Sequence, residues 1–203
     1  MKSDYIKPAM IEHVLFALTP ENRLACRVAL KTGLRIGDVV TMKPEELQKA
    51  ADNKYKIKVV EQKTGKLRTV SLGKDLTEQL LRQSGTIFVF QGRNGVNTHR
   101  TRQAVYKDIK RAGKAFRIKE NLTPHTLRKV YAVRLYEKYG NIAKVRKALN
   151  HSNDAVTMIY ALADHLQAKK YTGIDTRSFL CYDTYRTGSH NPDGSERLLP
   201  YVS

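Results

Sequence analysis

Side chains able to hold an anion or carry a proton stand at five separated places: Arg35, Lys63 with Lys66, His125 with Arg128, His151, and the phenol of Tyr160. Taken singly, each has an ordinary structural use. Arg35 precedes Asp38 by three residues and can pair with it on one helical turn. Lys63 and Lys66 flank a Thr-Gly pair and can point to solvent. His125 and Arg128 can share a helix face near its end, His151 can cap a helix, and Tyr160 can pack in a core or an interface. The chemistry that is excluded is sharper. The six histidines and two cysteines show no His-x-x-x-His or Cys-x-x-Cys spacing, so zinc is not indicated. No Gly-x-x-x-x-Gly-Lys-Ser/Thr loop and no Gly-x-Gly-x-x-Gly motif occurs, so neither ATP nor a dinucleotide is expected. The carboxylate cluster needed for two-metal hydrolysis is also missing. No cofactor and no metal is expected.

Charge points to the partner. Lys plus Arg number 37 against 19 acids, a formal net charge of +18, and such a chain repels itself unless it meets a polyanion. Nucleic acid ranks first and an anionic membrane surface second. With 203 residues, 41% of them hydrophobic, the chain can build one domain with a real core. Apolar runs such as 87–90 are far too short to span a bilayer, and the opening MKSDYIKP has no apolar signal core, so a soluble, unexported protein is expected. Cys26 in an apolar helical pattern and Cys181 in the tail fit a reduced cytosolic setting, with both thiols inert.

The elements that must position these residues are mostly helices. Residues 10–17 are apolar on one face, and Thr19-Pro20-Glu21 announces a helix to Lys31 whose Leu24, Val28, Cys26 and Leu30 face the core. Gly33 ends it, a short helix starts again around residues 34–40, and Arg35 falls at the junction. Alternation over 56–60 and 67–72 around Lys63-Thr64-Gly65-Lys66 predicts a β-hairpin with lysines at its tip. A helix over 75–83, an apolar segment at 87–90 and a turn at 91–95 follow. A long basic helix over 98–117 carries Arg100, Arg102, Lys107, Lys110, Arg111, Lys114 and Arg117, with Asp108 its one acid. A charge run is usually a solvated face, but this uniform sign favours one turned to phosphate. Thr123 and Pro124 open a helix that Gly140-Asn141 stops near Tyr139; further short helices fit 142–149 and 152–160. After Lys170 the composition turns polar, a tail rather than a second domain.

In this order, the segments Thr32-Gly33-Leu34-Arg35, Lys63-Thr64-Gly65-Lys66, Thr123-Pro124-His125-Thr126-Leu127-Arg128, Leu149-Asn150-His151-Ser152 and Ile159-Tyr160 resemble the catalytic domain of the tyrosine recombinases, the phage integrase family. The likeness spans about residues 5–165. It implies an α+β fold, mainly helical with a small antiparallel hairpin: residues 1–170 form the catalytic domain and 171–203 a tail.

It also implies roles. Tyr160 attacks a phosphodiester of duplex DNA, leaving a 3′-phosphotyrosyl bond and a free 5′-hydroxyl, without metal or ATP. Arg35 and Arg128 clamp the non-bridging oxygens, His151 adds a donor, and His125 assists proton transfer at the tyrosine. Lys63 protonates the leaving oxygen, with Lys66 a rival in the same loop, and Asp38 holds Arg35 in place. Departures from the family pattern are Asn150, where glycine is frequent, and Lys129, where histidine is common. Only 34 residues precede Arg35, too few for the N-terminal clamp such recombinases usually carry, so an excised catalytic domain or a minimal recombinase is expected. The expected assembly is a monomer in solution and four protomers on double-stranded DNA, with residues 164–182 docking on protein through Phe179 and Leu180. Accessory DNA-bending proteins are admitted, and a cytoplasmic setting in a bacterium, archaeon or virally infected host. The rival readings are a type IB topoisomerase and a DNA-binding regulator without catalysis.

Overall fold

Four helices begin on proline, where the fixed φ suits the first turn and the missing N–H removes a donor that would have no partner there. The computed structural model describes residues 4–6 and 8–149, all belonging to one compact unit. The helix expected over 152–160, the docking segment 164–182, the tail, His151, Tyr160 and Cys181 lie outside the described residues. The order is α1 (Pro8–Phe16), α2 (Pro20–Thr32), α3 (Ile36–Val40), α4 (Pro44–Asp52), β1 (Lys56–Val60), β2 (Leu67–Ser71), α5 (Lys74–Gln83), α6 (Arg102–Ala115), α7 (Pro124–Tyr139) and α8 (Ile142–Ala148). This is the mainly helical α+β architecture with one small antiparallel sheet that the sequence predicts.

Helix α2 lies at the centre. Asn22, Ala25, Cys26, Val28, Ala29, Leu30 and Thr32 are all buried along it, and it packs on α1, α3, α5 and α7. Burial also lifts the Cys26 thiol far above its ordinary range, with the charge of Asp108 adding to the effect. The hairpin pairs Lys56 with Ser71 through Val60 with Leu67, and its inward residues Ile57, Val59 and Val70 join the core. A smaller cluster of Ala132, Val145 and Leu149, with Tyr131, Leu135 and Tyr136 packed on it, seats α8 on α7.

Two local expectations change. The basic helix starts at Arg102 and ends at Ala115, rather than spanning 98–117. His99 is held across from Gln91 in an antiparallel bridge, and Thr101 takes extended geometry and caps the helix, its hydroxyl oxygen accepting the Ala104 N–H at 3.1 Å. Arg100 is therefore off the helix. Thr19 stands before α2 as expected, but its hydroxyl donates to Asp108 Oδ2 at 3.0 Å instead of capping. No helix among the described residues is long and apolar enough to cross a membrane.

Candidate active site

The site grows from the turn that ends α2. Gly33 adopts φ +67°, and a Cβ there would lie 2.3 Å from the Tyr131 ring, so only glycine fits without disturbance. The turn presents two main-chain carbonyls to guanidinium groups. Arg68 of β2 donates to Thr32 O and, at 3.4 Å, to Gly33 O. Arg128 of α7 is 1% exposed; it too donates to Gly33 O, and reaches Leu149 O at 2.9 Å. Two residues beyond Gly33, Arg35 precedes α3 in extended geometry, its side chain 12% exposed and 2.8 Å from Glu61 Oε2.

Glu61, which the motif spacing does not single out, is fully buried at the start of the hairpin loop. Its other oxygen lies 3.4 Å from Arg68 Nη1. Burial by itself would raise its pKa; the hydrogen bond from Arg35 and the charges of Arg35, Arg128 and Arg68 outweigh that and hold it below the ordinary value. Asp38 behaves oppositely. Its burial, reinforced by the negative charge of Glu61, raises its pKa despite the Gln62 N–H bond and the opposing charges of Arg35 and Arg128. Its Oδ1 accepts that N–H at 3.0 Å, and its Oδ2 has no hydrogen-bond partner among the described residues. The expectation that Asp38 holds Arg35 is thereby corrected. The carboxylate bonded to that guanidinium is Glu61, 26 residues away, and Asp38 acts on the arginine through its charge. Among the described residues, three guanidinium groups meet two carboxylates here.

Lys63 and Lys66 both project from the hairpin loop and are exposed. The loop closes on Glu61, whose N–H donates to Lys66 O at 3.0 Å and whose carbonyl accepts Gly65 N–H at 2.8 Å. His125 is exposed in the first turn of α7, its N–H bonded to the capping Thr123 hydroxyl oxygen at 3.2 Å. The two motif residues of that helix thus diverge: Arg128 turns inward and His125 stays at the surface. Arg35, Arg128 and the lysine loop are gathered around Glu61 and Gly33. The position of Leu149, two residues before His151, is fixed by Arg128.

The basic residues around α6 divide into two kinds. Arg102, Lys107, Arg111 and Lys114 are exposed, while Arg100 and Lys110 are half-buried. Arg100 bonds Asn22 and approaches Glu21, Lys110 bonds Asn121, and Arg111 reaches Asp108 and Ala17 O, each at 2.6 Å. Arg102 lies over Gly37 beside α3. Lys107 and Lys114 have no hydrogen bond or ion pair among the described residues. No cluster of three His, Cys, Asp or Glu suited to a metal ion occurs among the described residues.

The phage integrase family profile matches residues 6–167. The chain belongs to the phage integrase family. Tyrosine recombinase XerD of Staphylococcus epidermidis is 29% identical over 177 residues, covering 79% of this chain and 58% of that protein. Tyrosine recombinase XerD of Staphylococcus aureus is 36% identical over 92 residues, 45% of this chain and 30% of that protein. This chain spans little more than half the length of the curated relatives it matches at best. Among solved structures, XerA recombinase superposes with a TM-score of 0.64 at 23% identity, covering 84% of this chain and 63% of that one. The catalytic domain of bacteriophage HP1 integrase gives 0.58 at 22%, over 84% and 95%. XerH recombinase in a post-cleavage complex with palindromic difH substrate gives 0.62 at 22%, over 85% and 53%. The fold is that of these integrase-family proteins, and the matched segment includes every residue of the Gly33 cluster together with His151 and Tyr160.

Proposed function

We propose that this member of the phage integrase family is the catalytic domain of a site-specific recombinase that cuts and rejoins duplex DNA through a 3′-phosphotyrosyl intermediate. The observation that carries the reading is the Gly33 cluster. Arg35 and Arg128 come from distant segments to one cluster around Gly33 and Glu61, beside a loop that offers Lys63 and Lys66. XerH, whose structure is a complex with its difH substrate, supports DNA as the partner. The family match and the fold offer nothing that favours a topoisomerase.

In this reaction the Tyr160 oxygen bonds to phosphorus, the bond to the 5′-oxygen breaks, and Lys63 supplies the proton that makes the 5′-hydroxyl. The phosphodiester energy is kept, so religation runs the same steps backward. Arg35 and Arg128 stabilise charge growing on the non-bridging oxygens with donors that stay protonated at any working pH; removing one such donor costs roughly 10²–10³ in rate. His151 adds a donor there and His125 serves the tyrosine's proton. Residues 1–170 form the catalytic domain and 171–203 the tail, with residues 164–182 docking on a neighbour when four protomers assemble on two duplexes in the cytoplasm. Lys107, Lys114 and Arg102 face DNA phosphates, while Arg100, Lys110 and Arg111 also tie the fold together.

A nicked suicide duplex from the chain's own genomic flanks tests the reading. The chain should become covalently attached to DNA with or without EDTA, and Tyr160→Phe should bind the duplex and form no adduct. Adduct formation by Tyr160→Phe, or none by the unaltered chain, would overturn it.

A further inference from the structure

We infer that Glu61 is a positioning residue, which holds Arg35 and the 63–66 loop in one frame so that the phosphate clamp and the proton donor reach the same phosphodiester together. The inference rests on the recombinase reading above and adds to it a residue outside the expected catalytic set.

Every hydrogen bond described for Glu61 serves one of those two groups or Arg68 on β2, the strand that follows the loop. On the side chain, Oε2 accepts from Arg35 at 2.8 Å and from the Thr64 hydroxyl at 3.2 Å, while Oε1 faces Arg68 at 3.4 Å. On the backbone, the N–H donates to Lys66 O at 3.0 Å, and the carbonyl accepts from Thr64 N at 3.2 Å and Gly65 N at 2.8 Å. Residues immediately after Lys63 and at Lys66 are thus pinned to the residue that holds Arg35. Arg68 closes the frame from the other side, because the Nη1 that faces Glu61 also reaches Gly33 O and its Nη2 donates to Thr32 O, just before Arg35. The result is a closed circuit from loop to carboxylate to both arginines and back to the turn that carries Arg35.

Stability alone is a poor account of such an arrangement. Fully burying a carboxylate is expensive, and well-packed apolar side chains of similar volume commonly stabilise a fold as well as a buried ion pair does. What apolar side chains cannot do is orient a guanidinium. With one Nη committed to Glu61, the planar fork of Arg35 has its remaining donors aimed in a fixed direction. Misplacing a reacting group by about 1 Å can cost ~10²-fold in rate, so a frame shared by clamp and acid has a direct kinetic value.

The test uses the full chain, the suicide duplex, and the same duplex with sulfur in place of the 5′-bridging oxygen, whose thiolate leaves without an acid. Glu61→Gln keeps the shape but offers one acceptor oxygen to two guanidinium groups. It should lower the adduct rate at least ~10-fold on ordinary DNA while changing the duplex dissociation constant less than about threefold. On the sulfur duplex part of that loss should vanish, the part due to the displaced loop, and part should persist, the part due to Arg35. In an Arg35→Lys background, Glu61→Gln should cost much less than it does alone, since it acts partly through that arginine.

An adduct rate within about twofold of the unaltered chain overturns the inference. So does a loss of equal size on both duplexes, a loss wholly abolished by sulfur, or losses that simply multiply with Arg35→Lys. Should Glu61→Gln fail to fold, Thr64→Val removes only the side-chain tie from the loop to the carboxylate: a few-fold loss confined to ordinary DNA supports the frame, and no loss overturns it. Absence of adduct from the unaltered chain would overturn the recombinase reading itself, and is read before any variant.

Discussion

Two groups of basic side chains look alike in the sequence and differ in the molecule. Around Gly33, Arg35, Arg68 and Arg128 are almost withdrawn from solvent, and their described bonds run to Glu61 and to main-chain carbonyls. Around α6, the acid at the centre is Asp108, 7% exposed, whose Oδ2 accepts from Thr19 N–H, Thr19 hydroxyl and Asn22 while Oδ1 takes Arg111. There the carboxylate stitches the start of α2 to α6, and Lys107 and Lys114 are left outside. Positive charge therefore stands in two settings: the first group is gathered on Glu61 and the turn that ends α2, and the second fastens helices while leaving Lys107 and Lys114 exposed. What separates them is the acid each group is built around.

The most damaging way to probe the first group is Gly33→Ala. The left-handed backbone costs about 1–2 kcal/mol for a residue with a Cβ, and driving that Cβ into Tyr131 adds roughly 1–3 kcal/mol. Denaturant unfolding should show a total near 3 kcal/mol, with adduct formation lost in the molecules that still fold. An unchanged midpoint would mean that the turn is not the pivot described above.

Asp108→Ala should destabilise by about 1–3 kcal/mol, because it leaves the Asn22 amide and the Thr19 N–H without their acceptor. The contrast with the Gly33 group requires that the folded fraction keep its adduct rate per molecule. A rate that falls in step with Arg35→Ala would merge the two groups into one.

Within the Gly33 group, acid separates the two carboxylates by sign. Glu61 has a folded pKa below its ordinary value of 4.5, so its contribution to stability is present above that value and is lost as pH falls through the depressed one. Asp38, raised from 3.8, contributes in the opposite sense: its stabilisation is present below 3.8 and is lost as pH rises through the raised value. Unfolding midpoints across the acid range should therefore fall less steeply for Glu61→Gln than for the unaltered chain, and Asp38→Asn should gain relative stability toward neutral pH. Parallel curves for all three would remove the coupling between these acids and the arginines.

The smallest effect belongs to the outward cations of α6. Lys107→Gln and Lys114→Gln should each leave stability within about 0.5 kcal/mol. Each should also reduce the slope of log affinity for duplex DNA against log salt by roughly 0.9 for every phosphate that is no longer neutralised. If the slope is unchanged in both, this face does not meet phosphate.

Much of this is legible in the sequence. Prolines 20 and 124, and glycines 33 and 140, mark helix ends by fixed φ or by left-handed geometry, and these are local signals. The hairpin shows in strict alternation. The same alternation holds a further signal: residues 57, 59 and 61, and residues 68, 70 and 72, share parity, so Glu61 and Arg68 have to turn toward the core with Val59 and Val70. Pairing Arg35 with Asp38 follows the three-residue rule for helices, and a contact across 26 positions overrides it. Periodicity starts α6 too early because the bridge between Gln91 and His99 is a pairing that propensity along the chain does not encode. Asp108 likewise looks like a lone acid in a basic run, since its partner Thr19 lies 89 positions away.

The described acceptors of Arg128, Gly33 O and Leu149 O, both belong to the main chain. A backbone oxygen is supplied by whatever amino acid occupies the position, so neither end of this grip calls for a particular side-chain acceptor; the Leu149 end asks that its packing be kept, and the Gly33 end that the turn keep its left-handed shape clear of Tyr131. The grip of Glu61 on Arg35 has no such insurance, because its carboxylate oxygens belong to the side chain. Replacing Glu61 therefore removes the described side-chain acceptor of Arg35, whereas replacing Leu149 leaves the carbonyl acceptor of Arg128 in the chain.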